Sequence, residues 1–140
     1  MALQQTATNA FKTGMMNGTY NFSTDTFKIA LYNGNATLDA TTAAYTSANE
    51  ASGGSYVAGG TTVTVSQTPT TGPSGTVAYI NFSNVAWTGA ITARGALIYK
   101  VGGGNPTVCV LDFGADKTST TTFTVQFPAS TNTSAIIRLA

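Results

Sequence analysis

The sequence predicts an all-β protein, an antiparallel β-sandwich or jelly-roll-like barrel of about eight strands with a short N-terminal helix. Short segments in which apolar and polar residues alternate recur along the chain, separated by Gly, Asn, Ser and Pro. Thr occurs 27 times, and its β-branched side chain favours strands over helices. No repeat or linker divides the chain, so residues 1–140 are predicted to form one domain.

The predicted helix covers residues 3–16. Apolar residues three or four positions apart form one stripe along it, namely Leu3, Ala7, Ala10, Phe11 and Met15. Asn17 and Gly18 follow and are typical of a left-handed C-cap that ends a helix.

Beyond this helix the apolar period changes to two, which indicates strands. Phe27, Ile29 and Leu31 alternate with Lys28 and Ala30 in the clearest example. Residues 35–54 are weakly patterned and are predicted to form a long loop or an excursion at a sheet edge. Residues 69–75 are predicted to be a turn, because proline lacks the donor that a sheet ladder needs. The predicted strands are 26–32, a short one at 56–57, then 61–67, 76–82 with a continuation at 85–87, 94–101, 107–113, 121–127 and 135–139.

The chain carries few ionic groups. Six basic and five acidic residues give a net charge of +1, and charged residues make up 8% of the sequence. Solubility-optimised surfaces carry roughly 25–35% charged residues, and a net charge near zero promotes association. One interpretation is a neutral surface hydrated by hydroxyl and amide groups. The other, which we favour, is a protein that functions inside a larger assembly.

The residue types present argue against most enzyme classes. The sequence has no histidine, so Ser-His-Asp and Cys-His catalysis lack their base. The single cysteine, Cys109, lies between two valines and is expected to be a packed thiol. Asp112 and Asp116 are close in sequence, but turn chemistry explains them better than a glycosidase pair, with Asp116 and Lys117 in a turn-like segment. We therefore expect no enzymatic activity, no cofactor and no metal.

Nucleic acid and membrane are also unfavoured as partners. The six basic residues are scattered, so no patch would release counterions from a phosphate backbone. No stretch reaches the about 18 consecutive apolar residues of a membrane span.

Aromatic and helical side chains are the remaining candidates for contact with a partner. Trp87, Tyr45 and Tyr56 stand out because their surroundings resemble loops, whereas most other tyrosines lie in or beside strands. Phe11 and Met15 are candidates on the helix. We expect helix 3–16 or loop 35–54 to supply much of the contact, because these are the least sheet-like segments.

The order of segments resembles small virion structural proteins of tailed bacteriophages. The resemblance begins where the helix leads into the string Asp-Thr-Phe-Lys-Ile-Ala-Leu-Tyr at residues 25–32. It continues through Tyr-Val-Ala-Gly-Gly at 56–60, Val-Ala-Trp at 85–87 and Ala-Arg-Gly-Ala-Leu-Ile-Tyr-Lys at 93–100. It ends with Leu-Asp-Phe-Gly at 111–114, Phe-Thr-Val-Gln-Phe-Pro at 123–128 and Ile-Ile-Arg-Leu at 136–139.

This resemblance implies a non-enzymatic particle component, a head decoration or cement protein that ties neighbouring capsomers together. Its expected partners are the major capsid protein and copies of itself in a homo-oligomer, and its expected location is the virion. The alternative is a tail or fibre domain that binds a host surface glycan through exposed aromatic rings, Trp87 among them.

Overall fold

A computed structural model describes residues 3–73 and 75–139. These described residues form one α-helix and ten β-strands. In chain order these elements are β1 (Thr6–Ala7), α1 (Asn9–Asn17), β2 (Phe27–Tyr32), β3 (Thr61–Val63), β4 (Val65–Thr71), β5 (Ala78–Phe82), β6 (Val85–Thr88), β7 (Thr92–Lys100), β8 (Thr107–Thr118), β9 (Thr122–Val125) and β10 (Ile137–Leu139).

The strands form three antiparallel sheets. The largest has five strands in the order β1-β8-β7-β2-β3, the second has the order β10-β5-β4, and β6 pairs with β9 in the third. A hairpin whose turn contains Gly102-Gly103-Gly104 joins β7 to β8, the strands predicted at 94–101 and 107–113. The all-β, sandwich-like class with a short N-terminal helix is therefore confirmed, with ten described strands where about eight were predicted.

The central strands β2 and β7 and the first half of β8 are buried on both faces of the five-stranded sheet. Phe27, Ile29 and Leu31 of β2 join a first core that includes Phe82, Trp87 and Phe123. Ala30 and Tyr32, which point to the opposite face, join a second core with Leu97, Tyr99 and Val110. Two-sided burial explains why β7 contains an unbroken apolar run instead of an alternating pattern.

The loop between β2 and β3 covers the second core. Ala36 and Leu38 are buried in it, and Tyr45 packs against it. Residues 35–54 form no named strand, as predicted, and are held to the rest of the fold by isolated bridges and by single backbone hydrogen bonds such as that from the Ala51 N–H to the Leu31 carbonyl. Much of the apolar surface of this loop is therefore used inside the molecule.

The helix begins later than predicted. Residues 3–7 are extended, since Leu3 bridges to Leu38 and Thr6–Ala7 pair with β8. Thr8 is the N-cap, and its side-chain oxygen accepts a hydrogen bond from the Phe11 N–H at 3.2 Å. The spacing of Leu3 and Ala7 is compatible with a helix, but in the structure both residues lie in this extended segment. The predicted C-cap is confirmed, because Gly18 is left-handed with φ of 79°.

Three other local predictions were wrong. Pro69 lies in β4, which tolerates it because β4 is an edge strand whose register shifts between Gln67 and Thr70. Residues 56–57 form no strand. The segment around Asp116 belongs to β8, which continues to Thr118 past an irregularity where Gly114 has φ of 84°.

Candidate protein-interaction groove

A groove of about 570 Å³ lies where the two larger sheets separate. Strands β1 and β8 of the five-stranded sheet, β10 of the three-stranded sheet and helix α1 all contribute to its lining. A smaller groove of about 140 Å³ adjoins it through four shared residues, Phe11, Met15, Ile137 and Leu139. We call the two together the α1/β10 groove.

Large apolar side chains are exposed at this groove. Met16 is 82% exposed, Leu139 52% and Met15 38%, while Ile136 and Ile137 are partly buried. Such residues are ordinary singly, but a contiguous set around a concave surface is characteristic of a site that a partner covers. The α1/β10 groove is therefore the candidate functional site.

Helix α1 is placed over the first core by its small and aromatic residues. Phe11 and Gly14 are the buried residues of the helix, and a side chain at Gly14 would clash with the ring of Tyr20. The Tyr20 hydroxyl donates a 2.5 Å hydrogen bond to the Thr107 carbonyl in β8. Burial raises the pKa of Tyr20 to about 12. Because this inner face is fixed, Met15 and Met16 are directed outward.

Strand β10 is held by a buried amide. The side chain of Asn81, 2% exposed, donates to the Pro128 carbonyl at 2.6 Å and to the Ser130 hydroxyl at 2.9 Å. Its carbonyl oxygen accepts from the Ile136 N–H at 3.3 Å. Asn81 thereby anchors the segment before β10, which in turn fixes the position of Leu139.

The charged groups of the groove are all basic. Lys12 and Arg138 line it, both are exposed, and neither forms an ion pair with any residue in the described ranges. The two ion pairs of those ranges, Arg94–Asp112 at 3.4 Å and Lys100–Asp25 at 3.2 Å, involve other residues. Among the residues that the structure describes, no Asp or Glu lines the groove. The groove thus combines an apolar floor with two cations that have no ion-pair partner among the described residues.

The five sequence-predicted contact residues do not form one site. Met15 is exposed in the groove, as a contact residue must be, and Phe11 forms part of the floor at 3% exposure. Trp87 is only 5% exposed and packs between Tyr56 and Phe123, with ring centroids 5.6 and 6.5 Å away. A ring so enclosed offers no face on which a sugar could stack.

Tyr45 and Tyr56 belong to a polar cluster around Glu50. The Glu50 carboxylate accepts hydrogen bonds from the Tyr45 hydroxyl at 2.7 Å, the Tyr56 hydroxyl at 2.5 Å and the Gly59 N–H at 2.6 Å. We call these residues, with Tyr99 stacked on Tyr45, the tyrosine cluster. Burial, with Glu50 nearby, raises the pKa of both Tyr45 and Tyr56. These three bonds close the β2–β3 loop on itself. The loop is joined to the sheet by the Leu31 N–H, which donates to the Tyr56 hydroxyl at 2.9 Å, and by the Tyr99 hydroxyl, which donates to the Gly59 carbonyl at 2.6 Å, so the cluster is part of the folded scaffold.

Cys109 is buried in β8, as expected for a packed thiol. Burial raises its pKa to about 12, so the thiolate nucleophile is suppressed at neutral pH. Within residues 3–73 and 75–139, no three Cys, Asp or Glu side chains come together as a metal site would require.

Sequence reasoning missed Met16 and Leu139. The available signal was weak: Met16 follows the apolar stripe of the helix, and Leu139 closes an apolar C-terminal string. Neither feature shows which side chains the fold leaves uncovered.

Comparison with protein-family models, with curated proteins and with solved structures found no match. No helix in the described part of the chain is long and apolar enough to cross a membrane.

Proposed function

We propose that the protein is a virion structural protein of a tailed bacteriophage, a capsid decoration protein that binds the major capsid protein and copies of itself. The observation that carries the proposal is the α1/β10 groove, where Met16 and Leu139 are exposed beside an apolar floor. A partner that covers these side chains would remove apolar surface from water, at roughly 25 cal/mol per Å².

The composition of the chain supports the same function. With 8% charged residues, the surface consists largely of hydroxyl, amide and apolar groups. Such groups can be buried at an interface without the desolvation penalty of ions. The order of segments resembles that of small virion structural proteins, and for this reason we propose a phage head as the assembly.

Glycan binding in a tail or fibre is not carried forward as a second function. It depended on exposed aromatic rings, and Trp87 is enclosed while the Tyr45 and Tyr56 hydroxyls are engaged by Glu50.

The test is the stoichiometry of the protein in purified particles of the virus that encodes it, measured by quantitative mass spectrometry. We expect a copy number that scales with the major capsid protein, and a cryo-electron map with the α1/β10 groove turned toward a neighbouring subunit. A copy number that matches a tail component, or absence from the particle, would contradict the proposal.

A further inference from the structure

We propose that the α1/β10 groove binds an extended, acidic and apolar segment of a partner protein, which adds as a strand to the free edge of β10. The inference deepens the proposed function, on which it rests for taking this groove as a site of protein contact.

The edge of β10 makes main-chain recognition possible. Among the described strands β10 pairs only with β5, through Ile137, Arg138 and Leu139. Its other edge has no strand beside it in that part of the chain, and β10 lines both parts of the groove. An extended peptide can add to such an edge with main-chain hydrogen bonds, while alternate side chains enter the adjoining pockets.

The edge of β1 is less available for the same purpose. Gln4 donates its N–H to the Leu38 carbonyl and Asn9 donates to the Ala40 carbonyl, so the β2–β3 loop already binds the backbone on either side of β1. The added strand is therefore assigned to β10.

The floor beside this edge is apolar. Phe11, Leu111 and Ile137 line it, with Met15 and Met16 at the helix side. Methionine side chains are flexible and adapt to partners of varied shape. The side chains of the partner that point into the groove should accordingly be aliphatic or aromatic.

The positive charge of the groove indicates whether a second copy of this chain or a different protein occupies it. Two copies meeting face to face through a two-fold axis would bring Lys12 and Arg138 of each into one interface, and no described Asp or Glu of the groove would neutralise them. Like charges in an interface are unfavourable, whereas a segment with Asp or Glu would complement both cations. The occupant is thus a segment that alternates apolar residues with carboxylates.

Three peptides test this directly against the full chain in a two-dimensional amide NMR titration. The first alternates Val and Glu over six residues, the second replaces each Glu with Lys, and the third is the Val/Glu peptide with alternate amides N-methylated. All three have blocked ends. N-methylation removes the donors that a β10 partner would need but keeps the charge.

We expect the Val/Glu peptide to shift the amides of α1 and of residues 137–139. Its affinity should exceed that of the other two peptides by about tenfold, which corresponds to about 1.4 kcal/mol. Lys12→Glu combined with Arg138→Glu should reverse the charge preference, and added salt should weaken binding. Lys117→Glu, a charge reversal at an exposed lysine outside both grooves, is the control and should leave the affinity unchanged.

Equal binding of the acidic and basic peptides, shifts confined to other surfaces, or no binding would overturn the inference. So would a wild-type dimer in analytical ultracentrifugation that Met16→Asp converts to monomer, because a second copy would then occupy the groove. These outcomes are independent of the proposed function: the peptides can bind even if the protein is absent from virions, and virion incorporation can hold even if no peptide binds.

Discussion

The tyrosine cluster and the α1/β10 groove lie in the same small fold but differ in whether their side chains have partners inside the molecule. In the cluster, Glu50 and the hydroxyls of Tyr45 and Tyr56 are hydrogen-bonded to one another or to the backbone. In the groove, Met16 and Leu139 are exposed and the Lys12 and Arg138 side chains have no ion-pair partner among the described residues.

This difference separates residues that hold the molecule together from residues available to a partner. Aromatic identity alone does not separate them, since the lone tryptophan is internal and the uncovered side chains are methionine and leucine. We therefore expect substitutions at internal sites to change stability, and substitutions at the groove to change binding.

The largest effect is expected for Trp87→Ala. Removing a buried aromatic side chain leaves a cavity and costs about 3–5 kcal/mol of unfolding free energy. Urea unfolding followed by circular dichroism measures it without relying on the lost fluorophore. Val57→Ala, at a site 69% exposed, is the control and should change stability by less than about 0.5 kcal/mol. A Trp87→Ala variant that is as stable as wild type but loses partner binding would show that Trp87 is a contact residue and not a core residue.

A smaller loss is expected for Glu50→Ala, which leaves the Tyr45 hydroxyl, the Tyr56 hydroxyl and the Gly59 N–H without their acceptor. Unsatisfied buried donors cost about 1–3 kcal/mol, and since these donors are only partly buried, we expect a loss of unfolding free energy in the lower half of that range, measured as a lower unfolding midpoint in urea. Glu50→Gln keeps one acceptor oxygen and should lose less. Asp116→Ala, at an exposed carboxylate, is the control. Equal effects of Glu50→Ala and Asp116→Ala would show that the cluster does not hold the loop.

Alkaline pH should destabilise the protein through its buried tyrosines. The pKa of Tyr20 is raised to about 12 from 10.0, so above pH 10 the unfolded chain releases a proton that the folded chain retains. This contribution to stability is complete below pH 10 and is lost as pH rises toward 12. The slope of unfolding free energy against pH in this interval should be shallower in Tyr20→Phe. An unchanged slope in that variant would contradict the assignment.

The sequence predicted the sheet well and the uncovered surface poorly. Phe27, Ile29 and Leu31 revealed β2 because alternation is a local signal, and Gly18 marked the helix end because few residues adopt its backbone conformation. The helix start was wrong because pairing of Thr6–Ala7 with β8 is a contact distant in sequence. Burial of Trp87 depends on Tyr56 and Phe123 in the same way. Exposure of Met16 and Leu139 follows from how sheets and helix meet, which no local pattern encodes.

Met16→Asp is expected to change stability least. It also tests most directly whether the α1/β10 groove is the surface that binds the partner. Because Met16 is 82% exposed, little packing is lost, and the variant should lose only about 0.5–1 kcal/mol of unfolding free energy, the cost of a carboxylate in the last turn of α1. Co-sedimentation of the purified protein with virus particles lacking it should nevertheless be lost. Val57→Asp, an equally apolar-to-acidic change at an exposed site outside the groove, should co-sediment like wild type. Retained co-sedimentation of Met16→Asp, or equal loss in both variants, would contradict the claim that the α1/β10 groove is the surface by which this protein acts.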